Sequence, residues 1–345
     1  MGAARPIANL VALGRRDRGP RAGARAAAPK FPNRSPVRRL VLIAALLALA
    51  VPGSAAATTN LPIVGFGEQR AAVFSDPHWQ KLNIRHMRLV AGWDFRRYRW
   101  QRREVDHWLA AAEAANVEPL VAFTRSRAHW RTRMLPTPRQ YRRHFLAFRK
   151  RYPQVRTFLV WNEANHCSQP LCHKPQLAAR YFDVVASACP DCKIVAADVL
   201  DKEGMVEWLQ AFQRAARHTP RIWGLHNYLD ANRMVTHGTR AMLRTVRGEI
   251  WFTETGGLVK RNSTSPYKFP ESPSHAGRAT RFVLHRLARL SPRIKRVYLY
   301  HFQNQGPTAT WDSGVLDPKG RPRPAYRVVA RWLARAERAR RAGRG

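Results

Sequence analysis

Acid is scarce in this sequence. Asp and Glu number 22 against 61 Lys and Arg among 345 residues, for a formal charge of +39. Cysteine is sparse too, with four residues, and no apolar run reaches the roughly 20 residues of a membrane-spanning helix. Apolar material itself is not short: 45% of residues are hydrophobic and 10% aromatic. That excludes a disordered polycation, which would lack the apolar surface needed to offset chain entropy. The length fits one large domain or two small ones. The charge brings nucleic acid, anionic cell-surface polymer and membrane surface into view as partners without choosing among them.

Residues 1–39 are rich in Arg, Ala, Gly and Pro and carry no apolar period. Arg38 and Arg39 precede the run Leu40 to Val51, followed by Pro52, Gly53 and Ser54-Ala55-Ala56-Ala57. A basic stretch, about a dozen apolar residues and an A-x-A-like site make a secretory leader over residues 1–57. The alternative is an uncleaved single-pass anchor, for which the run is short. The expected mature protein is exported and has no transmembrane helix. Ten bases and one acid fall in the leader, so the mature part keeps 51 against 21 and stays strongly basic.

Cys167, Cys172, Cys189 and Cys192 form C-x4-C and C-x2-C pairs. A single zinc site is disfavoured because the segment from Pro175 to Ala188 has helical apolar spacing. A helix of that size is roughly 20 Å long and would hold the two pairs apart. Two local disulfides, Cys167–Cys172 and Cys189–Cys192, suit an exported protein. His166 and His173 border the first pair but lack a carboxylate or thiolate at a convincing spacing, so no metal is expected.

From residue 61 onward, short β-rich runs alternate with amphipathic helical ones. The runs are Ile63–Phe66, His86–Ala91, Pro119–Phe123, Thr157–Trp161, Lys193–Ala197, Ile222–His226, Ile250–Thr253 and Arg296–Tyr300. Several are almost wholly apolar, as parallel strands buried on both faces are. Such alternation predicts an α/β fold, and its eight units match a (β/α)8 TIM barrel. The competing doubly wound sheet would need a glycine-rich phosphate turn after its first strand. Gly65-Phe66-Gly67-Glu68 lacks the third glycine, so no dinucleotide cofactor is expected. The expected domain spans residues 58–334, with a basic, frayed tail at 335–345.

In such barrels chemistry sits where strands end. Those positions carry Arg88 and Trp93-Asp94, then Trp161-Asn162-Glu163-Ala164-Asn165, His226-Asn227-Tyr228, Thr253-Glu254-Thr255-Gly256, and Tyr300 with His301. One carboxylate there would mean little. Two, Glu163 and Glu254, each directly after an apolar strand, are what glycosidic cleavage requires: one protonated to donate, one ionised to attack.

The W-N-E-x-N and T-E-x-G runs resemble the signatures of clan A glycoside hydrolases, retaining (β/α)8 enzymes with catalytic glutamates after strands four and seven. The resemblance spans about Leu61 to Ala334 and includes Arg88, the H-x-Y segment and the W-D-x-G-x-L-D run from Trp311 to Tyr326. It implies that Glu163 is the acid/base and Glu254 the nucleophile. It implies that Asn162 contacts the sugar 2-hydroxyl, that Arg88 and Tyr228 hydrogen-bond the nucleophile and keep it ionised, and that His226 lines the subsite of cleavage. The chain departs from the pattern at strand eight, where many members place a Trp; here Trp311 would stack instead, or His301 and Phe302 would alter that wall.

Trp93 and Trp311 are the aromatics expected in the cleft, whereas Trp79, Trp100, Trp130 and Trp223 read as packing. Glu68 reads as a solvated loop acid rather than a sugar contact. Asn262-Ser263-Thr264 is a glycosylation sequon. Arg-rich helices such as 139–143 and 331–344 read as solvated faces, with no motif for specific nucleic-acid binding. The expected protein is a monomeric, secreted glycosidase that needs no cofactor, acts on an oligo- or polysaccharide or glycoside, and is attracted by charge to anionic envelope polymers. The rival is an inactive barrel that binds carbohydrate or such polymers.

Overall fold

The computed structural model describes residues 61–261, 268–304, 306 and 309–342. The leader with its apolar run and the sequon Asn262-Ser263-Thr264 lie outside these residues. No helix among the described residues is long and apolar enough to cross a membrane.

Eight parallel strands close into a barrel: β1 (Ile63–Gly67), β2 (His86–Gly92), β3 (Glu118–Thr124), β4 (Thr157–Leu159), β5 (Lys193–Leu200), β6 (Ile222–His226), β7 (Glu249–Thr255) and β8 (Ile294–Tyr300). Each bonds to the next, and β8 returns to β1. The principal outer helices are α1 (Pro77–Leu82), α2 (Arg99–Ala114), α3 (Pro138–Arg151), α4 (Pro175–Ala188) and α5 (Met205–Ala215). They continue with α6 (Tyr228–Arg233), α7 (His237–Thr245), α8 (Pro273–His285) and α9 (Pro324–Ala342). This is the (β/α)8 barrel that the alternation predicts.

Local signals set the helix starts. Thr137 accepts from Gln140 N while the Gln140 side chain accepts from Thr137 N, a capping box with Pro138 at the first helical position. Asp76 caps α1 through His78 N and Trp79 N, at 2.7 and 3.1 Å. The expected frayed tail is helical as far as Ala342, because Ala336 is buried and Glu337 pairs with Arg341 one turn on.

Two layers of apolar packing hold the barrel. Inside it, Leu120, Ala122, Leu159, Val195, Trp251 and Tyr298 fill the bore. Below them Arg296 lies 4.2 Å from the Trp251 ring centroid and donates to Glu118 at 3.0 Å, which closes the floor. Outside, Phe123 and Phe158 from the strands meet Phe145 and Phe148 of α3. Burying one such ring stabilises by roughly 1.5–3 kcal/mol. Glycine is required at position 65, where an added Cβ would lie 2.3 Å from the His86 carbonyl oxygen on β2.

Of the two expected disulfides, Cys189–Cys192 is present. The other is not: Cys167 and Cys172 are free thiols. The turn between them brings the two sulfurs and a His173 nitrogen within 4.8 Å of one another, and Cys167 Sγ contacts His173 Nε2 at 3.5 Å instead of bonding to Cys172.

The segment after β8 is fastened by a buried ion pair. Trp311–Asp312 pairs antiparallel with Lys260–Arg261, and Arg323 grips both Asp312 oxygens at 2.7 Å. Burial opposes the Asp312 charge, but contacts with His301 and Arg323 hold the carboxyl far below its ordinary value. Arg323→Ala leaves that buried charge without its guanidinium, with only His301, Asn304 and the Gly314 N–H still facing it, so we expect it to lower unfolding free energy by about 2–4 kcal/mol in urea titration. A loss below about 1 kcal/mol would show that the pair is not what fastens the segment.

Candidate active site

The mouth of the barrel is shaped by departures from regular pairing. After Leu159 the chain leaves the ladder, and three backbone bonds steer it across the rim. Asn162 N donates to Phe123 O at 2.7 Å, Ala164 N to Asp198 O at 2.8 Å, and Val160 N to Val195 O at 3.2 Å. Between them Glu163 adopts a left-handed backbone, φ 52°, which is uncommon for a residue with a Cβ. On the far side, a register shift between β6 and β7 sets His226 opposite Glu254.

These turns bring together two carboxylates and an imidazole, from the turn after β4 and from β6 and β7. An oxygen of Glu163, an oxygen of Glu254 and a ring nitrogen of His226 lie within 4.8 Å of one another. Arg88, fully buried on β2, donates to Glu254 Oε2 at 2.8 Å and to Asn162 Oδ1. Tyr228 OH donates to Glu254 Oε1 at 3.1 Å. Tyr228 is itself placed by Asp201, which accepts from Leu229 N and Asp230 N at the start of α6. His226 Nδ1 is 3.4 Å from Glu163 Oε1, and its Nε2 is 2.9 Å from Asp198 Oδ2.

Asp198 ties the group together from beneath. It is fully buried, accepts from Thr253 Oγ1, and lies 3.6 Å from Arg88. Burial works against its charge, but His226 and Arg88 outweigh that and hold it below the ordinary carboxylate value. Burial likewise opposes charge on His226, yet Asp198 and Glu254 push its titration up to about 10. Burial also opposes charge on Glu163, and the hydrogen bond and charge of His226 outweigh it, so that carboxyl sits below its ordinary value. Glu163, His226 and Glu254 are compact enough to hold an ion, and the same three groups can instead share a proton, which the raised titration of His226 favours.

A cleft of about 900 Å³ opens above, lined by Glu163, Glu254, Asn162, Tyr300, Arg70 and Arg125 among others. Arg88, Asn162, Glu163, His226, Tyr228 and Glu254 thus converge on one site. Trp311 is near it, edge-on to Tyr228 at 5.0 Å. Trp93 is elsewhere: it is buried and edge-on to His144 at 4.9 Å, because its side chain turns toward α3 rather than into the bore. His301 and Phe302 are also buried, and Tyr300 forms the wall expected of them. Glu68 is buried, not solvated, and is occupied by Gln69 N, Arg70 N and the Arg70 side chain. Trp79 and Trp223 pack as expected, whereas Trp100 and Trp130 are 42% and 64% exposed. Sequence reasoning misses Asp198 and Arg125, and it names Tyr300 at the end of the eighth strand without giving it a role. Asp198 carried a signal, being the one acid within the fifth apolar run and its extension.

The fold recurs among solved glycoside hydrolase structures. The chain is similar to an endo-1,4-β-xylanase from Caldicellulosiruptor owensensis at TM-score 0.57 and 13% identity, covering 79% of this chain and 97% of that one. It is similar to GH5_18 from Streptomyces cattleya, in complex with GlcNAc, at TM-score 0.56 and 16% identity, covering 80% of each chain. It is similar to a family 39 glycoside hydrolase from Bacteroides cellulosilyticus WH2 at TM-score 0.54 and 15% identity, covering 80% of this chain but only 64% of that one. At these identities what is shared is the barrel. No family model matches the sequence, and no curated protein matches it.

The raised titration of His226 has a consequence for stability. A raised folded-state value contributes fully below the ordinary 6.5 and is lost as pH climbs through about 10. Asp198→Asn removes the main source of the rise. Urea unfolding should therefore show a variant less stable at neutral pH whose stability falls less than the wild type's toward pH 10; parallel pH profiles would contradict the assignment.

Proposed function

We propose that the protein is a retaining glycoside hydrolase acting by double displacement. The observation that carries this reading is the approach of Glu163 and Glu254 to within 4.8 Å at the barrel mouth. Retaining enzymes hold their carboxyl groups about 5–5.5 Å apart, whereas inverting ones leave about 6.5–9.5 Å for a water.

Glu254 Oε attacks the anomeric carbon as the glycosidic bond breaks. Arg88 and Tyr228 donate to Glu254 before attack and fix its orientation. Glu163 gives its proton to the departing oxygen, then takes one from the water that hydrolyses the glycosyl-enzyme. That proton is stored on the Glu163–His226 pair. In the open site it favours His226; a bound sugar excludes water, makes the separated charges costlier and moves the proton to Glu163. Asn162 gives its side-chain oxygen to Arg88, which leaves its amide N–H groups for the sugar 2-hydroxyl. Trp311, edge-on to Tyr228, flanks the sugar. The resemblance of the two glutamate motifs to clan A and the shared barrel support the same reading. The leader supports export, and removal of residues 1–57 would release the barrel alone.

Turnover of aryl glycosides, followed by NMR of the released sugar, should give the anomer of the substrate. Glu163→Gln should lower kcat by about 10²–10⁴-fold on substrates with poor leaving groups. Glu254→Gln should abolish both turnover and covalent capture of a fluorosugar. Undiminished activity of Glu254→Gln, or an inverted product, would remove the double-displacement assignment.

A further inference from the structure

The loops after β2 and β3 build a wall that the two-glutamate chemistry leaves unused. Residues 125–133 read Arg-Ser-Arg-Ala-His-Trp-Arg-Thr-Arg, four arginines and no acid. Three of the four most exposed large hydrophobic side chains among the described residues, Trp100, Trp130 and Met134, lie in or beside these loops. Both tryptophans carry a guanidinium: Arg127 is 4.8 Å from the Trp100 ring centroid, and Arg131 is 5.2 Å from that of Trp130. Neither ring lines the cleft itself, but Arg127, which lies over Trp100, does, and so does Thr132, two residues beyond Trp130; exposed apolar rings beside a cleft suit a binding surface.

The charges there are not equivalent. Arg127 pairs with Glu104 at 2.6 Å, Arg131 with Asp94 at 3.2 Å, and Arg70 with Glu68 at 3.1 Å. Arg125 differs. It is half-buried, lines the same cleft as Glu163 and Glu254, and bonds through Nη1 to the Ser168 carbonyl at 2.6 Å. No carboxylate among the described residues lies within ion-pair distance of it. That single bond fixes the guanidinium on the loop following Glu163 and leaves the rest of its fork to donate. A half-buried guanidinium without a counter-ion favours an incoming anion, and the planar fork suits carboxylate or sulfate.

We propose that the cleft takes an anionic glycan, in which a carboxylate- or sulfate-bearing sugar unit is bound by Arg125 and the chain continues over Trp130. This rests on the glycosidase reading for the direction of the chain into the cleft. Its binding test is independent of turnover. A nucleic acid would also meet cations and rings here, but it would have to bring phosphates beside Glu163 and Glu254, which a sugar ring need not.

Binding is measured by calorimetry with Glu254→Gln protein, so that hydrolysis plays no part. The probes are chondroitin, chondroitin sulfate and methyl-esterified chondroitin, with polygalacturonate and its methyl ester as a second backbone. The unsulfated and sulfated forms separate carboxylate from sulfate recognition, and the esters remove the charge from the same chain. Acidic forms should bind at least tenfold more tightly than their esters. Arg125→Gln should weaken the acidic forms by about 10- to 100-fold, the loss of a charged hydrogen bond, and the esters by less than twofold. Arg180→Gln, an equal loss of charge on the exposed face of α4, should leave both unchanged. Trp130→Ala alters an exposed residue and should weaken acidic and neutral chains alike. Equal losses for Arg125→Gln and Arg180→Gln would reduce the effect to general polyanion attraction and overturn the proposal. So would preferential binding of an RNA oligonucleotide, or no discrimination between acids and esters. Hydrolysis of neutral glycosides with no such discrimination would sink this inference alone. Arg125-dependent binding without any turnover would sink the glycosidase reading and leave this one standing.

Discussion

The site depends on one buried charge arrangement. Two cations, Arg88 and His226, sit among three carboxylates, Asp198, Glu163 and Glu254, and every member touches at least one of opposite sign. Charges this deep are tolerable only when paired and hydrogen-bonded, because each alone would incur several kcal/mol of desolvation. The requirement is stringent in geometry, since the five groups come from β2, β5, β6, β7 and the turn after β4. A barrel whose bore is packed with Trp251, Tyr298 and aliphatic side chains supplies the rigidity that keeps them in register. Asp198 acts from below, touching no part of the cleft, yet it sets the state of His226 and through it that of Glu163.

Much of this was legible in the order of residues. Strands buried on both faces announce themselves as apolar runs, and all eight runs fall on barrel strands. Glu163 and Glu254 stood out because acids are rare here and each follows directly on such a run. Side-chain direction was less legible. Trp93 and Tyr300 both follow strand cores, but which enters the cleft depends on the twist and register at the strand end, and these are fixed by tertiary contacts. Asp198 escaped because the fifth strand runs three residues further than its apolar run suggested. The thiols of Cys167 and Cys172 were correctly placed side by side, but spacing cannot say whether neighbouring sulfurs are joined.

The excess of base also looks different once the acids are located. Asp94, Asp198, Asp312 and Glu68 are all buried and all committed to arginine or histidine. These four acids therefore offset arginine and histidine inside the protein rather than at its surface, where helices such as α3 and α9 present arginine to solvent. The resulting positive field extends about a Debye length, roughly 8–10 Å at ordinary ionic strength, and concentrates anions near the surface before any specific contact forms.

The left-handed backbone at Glu163 sets two demands against each other. Holding a residue with a Cβ there costs on the order of 1 kcal/mol, a cost borne by the three backbone bonds on either side. Glycine would relieve it but erase the carboxylate that faces His226 and the cleft. Under the acid/base role proposed for Glu163, the turn after β4 is a point where stability and turnover compete.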